Sequence, residues 1–290
     1  MPRIRIVTDS ACDIPEPLLR QHDITVLPHV VRIGAEAYPD RGPVADQQVA
    51  QRVRQSVGHA EVTAPSVEDF TALYRTLRET CDGVLSVHVS SKLSETVSNA
   101  LTAREAFGPM GRGGPFPIAV VDSMSVGMGL GWVVLGIAQA AQAAQGASEL
   151  TKLATLTTRL AGQCHVAFFT EHLDGLMHAG HLNPLLARHE NFAGLKPLFH
   201  LDEGRLVVYE RTRTRAKARD ALYNFVEDFP KIGDIAVFHT GAHTDLDHLL
   251  VRIGAIYPRD RIMVIQTGLA LSAWLGPDAL GVAVVEGEEI

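Results

Sequence analysis

Three short polar stretches stand where an apolar run of strand character ends: Thr8-Asp9-Ser10, Ser90-Ser91-Lys92-Leu93-Ser94-Glu95-Thr96, and Asp122-Ser123. Hydroxyls grouped in this way can hold an anionic oxygen, and an aspartate beside them can act as acid, base or helix cap. The central stretch is the richest. Val84, Leu85, Val87 and Val89 form its strand, and Val97, Ala100 and Leu101 form the apolar stripe of the helix beyond. A strand that feeds a hydroxyl-rich turn and then a helix leaves unsatisfied backbone N–H groups at the helix start. Free amides are therefore expected in this turn, with Ser94 as N-cap and Ser90, Ser91 and Thr96 as further donors. The same residues also read as plain caps, and the turn alone leaves both readings open.

Other chemistries are less well supported. No phosphate-binding Walker loop, HExxH or GxSxG stretch occurs. Gly127, Gly129 and Gly131 are displaced from the strand end and read as sites of close helix packing. Among 13 histidines, His178 with His181 and His239 with His243 have ligand-like spacing, but no carboxylate completes either pair, so no metal is expected. Arg211, Arg213 and Arg215 alternate along an extended segment and would share one face, either solvated or suited to an acidic partner.

Alternating strand and helix patterns position these residues. Ile4–Val7, Ile24–Leu27, Val30–Ile33, Val84–Val89 and Ile118–Val121 read as strands, and Val44–Val57 and Asp69–Thr80 as helices. Such alternation predicts a parallel sheet covered by helices on both faces. A second half begins near Gly146. It has a helix capped by Ser148, a strand at Val166–Phe169, a helix at Glu171–Ala179, and a hairpin across Asp202-Glu203-Gly204. After it come the helices Arg215–Phe229 and Asp245–Tyr257 and the strands Ile235–His239, Ile262–Gln266 and Val282–Val285. The hairpin implies a mixed sheet. The expected boundaries are residues 1–147 and 148–290.

Length and composition agree with that division. The chain has 290 residues, 46% hydrophobic and 20% charged, enough for two ordered cores. A net charge of -7 argues against a nucleic-acid surface. Cys12, Cys81 and Cys164 form no CxxC pair, which suits a reducing cytoplasm. The N-terminus reads directly into a strand, without a leader pattern. The uncharged run Ser123–Ser148 is broken by Gln139, Gln142 and Gln145 and reads as a buried helix, not a membrane span.

Taken together, these motifs resemble the DegV family of bacterial fatty-acid-binding proteins. The resemblance rests on Ile6-Val7-Thr8-Asp9-Ser10 with Ile14-Pro15, Pro65-Ser66 before Phe70, the Ser90–Thr96 turn, and Val121-Asp122-Ser123. It continues through Leu173-Asp174-Gly175-Leu176 to Gly180-His181-Leu182, Lys196-Pro197 with Gly204, Arg213–Lys217, and Gly276–Gly281. It implies a three-layer N-terminal α/β/α domain with a parallel sheet and a C-terminal α/β domain with a mixed sheet. One long-chain fatty acid would lie in a tunnel between the domains, with no other cofactor. In the family, a kinase partner phosphorylates the bound acid at its carboxylate. Ser94 matches the carboxylate-binding serine, with Ser91 beside it. Val62 stands where the family has a threonine, and neighbouring Thr63 is the substitute. His181 replaces an arginine, Trp274 replaces a histidine, and Arg213 falls on the kinase-docking surface. Glu95 takes the place of the usual glycine. His181, titrating near about 6.5, is expected to strengthen acid binding as pH falls. The competing reading is an acyl hydrolase or phosphotransfer enzyme using Ser94 or Ser91 with His181.

Overall fold

The structure is a computed structural model that describes residues 4–42, 47–107, 116–144, 146–183, 194–241 and 244–287. The first half opens with β1 (Ile4–Asp9), a 3-10 turn at Ser10–Cys12, α1 (Glu16–Gln21) and β2 (Thr25–Leu27). It continues with β3 (Val30–Ile33), β4 (Glu36–Pro39), α2 (Gln47–Gln55), β5 (Glu61–Thr63) and α3 (Val67–Leu77). Then come β6 (Gly83–His88), α4 (Thr96–Glu105), β7 (Ile118–Asp122) and α5 (Met128–Gln142). Strands β2-β1-β6-β7 form a parallel sheet in that order. α3 starts from a capping box in which Ser66 and Asp69 bond each other's backbone. It buries Phe70, Tyr74 and Leu77 against one face of the sheet, together with Val84 and Ala100.

The second half contains α6 (Leu150–Ala161), β8 (Cys164–Phe169), α7 (Asp174–His178), β9 (Lys196–Asp202), β10 (Arg205–Thr212) and α8 (Arg215–Glu227). It ends with β11 (Ile232–His239), α9 (Thr244–Ile253), β12 (Ile262–Gln266), α10 (Leu269–Leu275) and β13 (Leu280–Glu286). Its sheet runs β10-β9-β8-β13-β11-β12 and is mixed, since only β11 and β12 pair in parallel. The fold is thus α/β with one parallel and one mixed sheet. No helix among the described residues is long and apolar enough to cross a membrane.

Several local expectations change. Glu36–Pro39 and Glu61–Thr63 pair on either side of β3 as a small antiparallel sheet that the sequence pattern did not suggest. Ser148 lies within a 3-10 turn and does not cap α6, whose N-cap Glu149 makes no side-chain bond. The helix expected at Glu171–Ala179 shortens to α7, because Thr170 Oγ1 bonds the His172 amide and holds the start of that segment as a turn. α10 was not anticipated at all. The predicted helix from Val44 begins, in its described part, at Gln47. Gln145, His243 and most of the Gly108–Pro117 loop lie outside the described residues.

The two halves share one core. Ile6, Leu85 and Val87 from the first sheet and Val166, Phe168 and Phe238 from the second belong to a single buried cluster, with α5 between them. α5 can lie this close because of its glycines. A Cβ on Gly129 would sit 2.3 Å from Val166 Cγ2, and one on Gly131 2.7 Å from the Cys12 carbonyl oxygen. Gln139 and Gln142 face solvent, as their spacing predicts.

α10 crosses in the other direction. It is in the second half by sequence, yet Leu269 and Ala273 pack with Val31, Ala50 and Val53 of the first. Two buried aspartates fasten its start. Asp40 accepts the amides of Leu269 (3.0 Å) and Ala270 (3.1 Å), and Asp13 accepts that of Gly268 (2.8 Å). Burial pushes Asp13 well above the usual carboxylate range, and the neighbouring Asp40 charge adds to it. The other Asp13 oxygen, Oδ2, has no hydrogen-bond partner. A carboxyl whose folded pKa exceeds its unfolded one lowers stability as pH rises from about 4 through the folded value. Asp13→Asn keeps an oxygen for Gly268 and tolerates the left-handed φ of 51° at this position. The variant is therefore expected to be more stable than wild type at pH 8, with the gain shrinking toward pH 4. Thermal melts of both proteins across that range measure it.

Candidate functional site

The ends of β1, β6 and β7 converge, as the three polar stretches predict, and one buried carboxylate organises them. Asp9 is fully buried at the end of β1. Its Oδ1 accepts the Ala11 amide (3.1 Å) and starts the 3-10 turn, while Oδ2 accepts the Val89 amide (2.9 Å) and meets His88 Nδ1 (3.0 Å). Burial alone would raise Asp9, but the His88 hydrogen bond and the imidazoles of His29 and His88 outweigh it and hold the group below its usual value. His88 Nε2 meets Ser86 Oγ at 2.6 Å, and Ser86 accepts the Tyr74 hydroxyl at 2.8 Å. The order Asp–His–Ser is that of a hydrolase triad, but all three side chains have zero exposure and Ser86 is held by Tyr74. The arrangement is a buried brace.

Most backbone amides of the serine turn are already bonded. Ser90 N bonds the Ser125 carbonyl, Ser91 N the Asp122 carboxylate, and Lys92 N the Ser90 hydroxyl. The amides of Leu93 and Ser94 both bond the Ser90 carbonyl. The N-cap position of α4 is Glu95, which makes no side-chain bond, so Ser94 is not the cap either. Ser94 Oγ instead accepts the Thr96 amide (3.3 Å) and lies 2.8 Å from Thr96 Oγ1. From Ser90 to Ser94 the backbone amides are thus taken, and the side-chain hydroxyls are the donors left on these residues.

Beside this turn lies a narrow apolar cavity between the halves. The first half contributes Leu93, next to Ser94, and Val126. The mixed sheet contributes Val166, Phe168, Leu201, Leu206 and Phe238, and α7 and α10 contribute Leu176, Leu271, Trp274 and Leu275. Among the described residues, the only polar side chain in the lining apart from the Trp274 indole is His181. Leu201 and Leu206 flank the hairpin tip, where Glu203 and Gly204 both have positive φ, 46° and 77°. The tip reaches across to the first half. Ser90 Oγ donates to the Gly204 carbonyl (2.8 Å), and a Cβ on Gly204 would lie 2.3 Å from Ser90 Oγ.

The remaining predicted residues separate into distinct places. His181 packs edge-on against Trp274 with ring centroids 4.6 Å apart, and its Nε2 is buried without a partner. Burial pulls its pKa down to about 4, which overturns the expected cation near neutral pH. No hydrogen bond joins it to Ser91 or Ser94, so the nucleophile–base pair of the competing enzyme reading is not formed among the described residues. Ser91 is exposed. Thr63 is exposed too, because strand alternation turns Val62 toward the core and Thr63 away. Thr63 therefore does not take the place of a threonine at Val62. The three arginines do not share a face. Arg211 is the penultimate residue of β10, Arg213 is exposed in the turn, and Arg215 begins α8, where it bonds Glu171 (3.0 Å) and Asp245 (2.8 Å). Among the described residues no three His, Cys, Asp or Glu side chains are grouped to hold a metal.

Two histidines passed over in the sequence matter most. His88 was hidden within a strand, with its partner 79 positions away. His29 follows Pro28 at the strand break and is only 1% exposed. Its Nε2 lies 3.3 Å from Thr96 Oγ1 and 3.5 Å from Ser94 Oγ.

The chain matches the family model described as an uncharacterised protein, DegV family, over residues 3–287. A DegV domain-containing protein of Streptomyces coelicolor is 30% identical over 293 residues, which cover 97% of this chain and 98% of that protein. A solved DegV family protein from Thermus thermophilus, described by its fatty acid binding, is 28% identical with a TM-score of 0.83, over 98% of this chain and 100% of the other. DegV from Bacillus subtilis, described as a fatty acid binding protein, shares the fold at 24% identity and a TM-score of 0.83, over 99% and 100%. With nearly every residue of the chain inside the match, the protein belongs to the DegV family.

Proposed function

We propose that this protein binds one long-chain fatty acid, with the acyl chain in the cavity between the halves and the carboxylate at the Ser94 side. The observation that carries this reading is the apolar lining of the cavity, to which Leu93 contributes and next to which, in sequence, Ser94 bears a hydroxyl. The Thermus thermophilus relative described by its fatty acid binding supports it. Burial is worth about 0.8 kcal/mol per methylene, so a long chain contributes on the order of 10 kcal/mol before the costs of association. A head-group hydrogen bond adds roughly 1.5–3 kcal/mol. Chain burial dominates, which lets binding tolerate His181 and Trp274 in place of more polar residues.

Native mass spectrometry of the purified protein tests this reading, because a carrier arrives with a lipid that organic solvent releases. A protein that arrives empty and gives no heat on titration with oleate would refute it. Leu206→Trp, at the partly buried edge of the cavity, should lower affinity for a long-chain acid about tenfold or more, equivalent to at least about 1.4 kcal/mol. Ser94→Ala should weaken acid binding about tenfold to a hundredfold and weaken binding of a fatty alcohol of equal length much less. Equal losses for the two ligands would place the head group elsewhere.

A kinase that phosphorylates the presented carboxylate is the partner this reading implies, and exposed Arg213 is the docking residue we assign to it. The protein is then a non-catalytic binding subunit acting in the cytoplasm. Arg213→Ala should leave fatty acid binding unchanged and slow phosphoryl transfer by the partner, most at low salt, where charge attraction is least screened. Equal transfer rates for variant and wild type across salt concentrations would remove Arg213 from the docking surface.

A further inference from the structure

We propose that Phe238, seated over Gly281, decides which acyl chains the cavity accepts; this rests on the fatty acid reading above. The strand registers place five residues in one row across the mixed sheet. They are Phe199 on β9, Phe168 on β8, Gly281 on β13, Phe238 on β11 and Ile265 on β12. Neighbours in such a row share a face, and its four side chains belong to the core cluster common to both halves. Gly281, which ends the Gly276–Gly281 motif, is the one member without a side chain. Strand alternation sends Leu280 and Val282 on either side of it to the opposite face. A glycine inside a strand weakens it and marks a place where another group comes close.

Here that group is the far end of the Phe238 ring. A Cβ on Gly281 would lie 2.6 Å from Phe238 Cε2, nearer still to Cζ, and 2.7 Å from Phe168 Cβ. Strands β8 and β11 stand two spacings apart, about 9.5 Å. The rings of Phe168 and Phe238 are nevertheless only 6.5 Å apart between centroids, because they lean over the glycine. Phe168 is backed by Phe199, with ring centroids 5.7 Å apart. Of this row, Phe168 and Phe238 line the cavity. The room left for a chain therefore depends on how low the Phe238 ring lies, and it lies low because Gly281 has no methyl beneath it. A side chain at 281 would lift the ring into a narrow space, and a shorter side chain at 238 would deepen that space. Phe238 meets the acyl chain, and Gly281 is a positioning residue that acts through it.

Competition of saturated acids from laurate to arachidate against a fluorescent fatty acid tests this. Each added methylene raises affinity about fourfold until the chain fills the cavity. In Phe238→Leu the length at which this rise stops is expected to move up by at least one methylene, so that acids beyond the wild-type limit bind about fourfold or more tighter than they do to wild type. Phe168→Leu is expected to move the limit the same way, and either variant carries the test if the other does not fold. Phe169→Leu removes the same atoms from the core on the opposite face of β8, and is expected to lower the melting temperature without moving the limit. Gly281→Ala is expected to lower the limit, and adding Phe238→Leu to it to raise the limit again. Because that methyl also meets Phe168 Cβ, a thermal melt accompanies each variant. An unchanged limit in the folded ring variants, or the same shift in Phe169→Leu, overturns the proposal while leaving fatty acid binding intact. A wild-type protein that binds no acid of the series overturns the underlying reading and the proposal with it.

Discussion

An ionised carboxylate with no exposure to water has to be surrounded by donors, because leaving it unpaired costs several kcal/mol. Asp9 is such a group, and its neighbours come from three separate segments. The Ala11 amide sets the turn that leads to Asp13, the Val89 amide and His88 set the exit of β6, and His29 approaches from the break after β2. The serine turn lies where it does because the strand before it is held from this point. The brace continues through Ser86 to Tyr74 in the outer core, so the site and the packing of α3 are mechanically linked.

The cavity depends on a second constraint, the crossing of the halves. Had each half closed its own core, their contact would be a surface between two finished units. Instead α5 serves both sheets, and α10 leaves the second half to pack on the first. The space left among α7, α10 and the mixed sheet is lined by side chains too apolar to hold water, and an empty apolar cavity lowers stability in proportion to its volume. The hairpin tip closes over the serine turn through a single side-chain bond to the Gly204 carbonyl, with no Cβ in the way.

His181 and Trp274 make an edge-to-face pair at the cavity, and burial lowers the basicity of the imidazole. Polar groups collect on the other side of the serine turn, around His29, Ser94 and Thr96. Thr63 adds nothing to them, since it faces outward on an edge strand.

Strand and helix order, the hairpin turn, the buried uncharged helix and the convergence of Asp9, the serine turn and Asp122 were all legible in the sequence. These features follow from local rules: a period of two or 3.6 residues, turn chemistry, and glycine placed for close packing. The family motifs were legible for the same reason, as short runs in a set order. What stayed hidden depends on which distant residues meet. His88 finds Asp9 across 79 positions and Asp40 finds Leu269 across 229, and no local pattern marks either pair. Whether a turn amide is free or already bonded, whether Thr63 or Val62 faces inward, and whether His181 carries a charge were likewise decided by folding. Each is set by desolvation and by competition among partners, quantities that exist only once the chain has closed on itself.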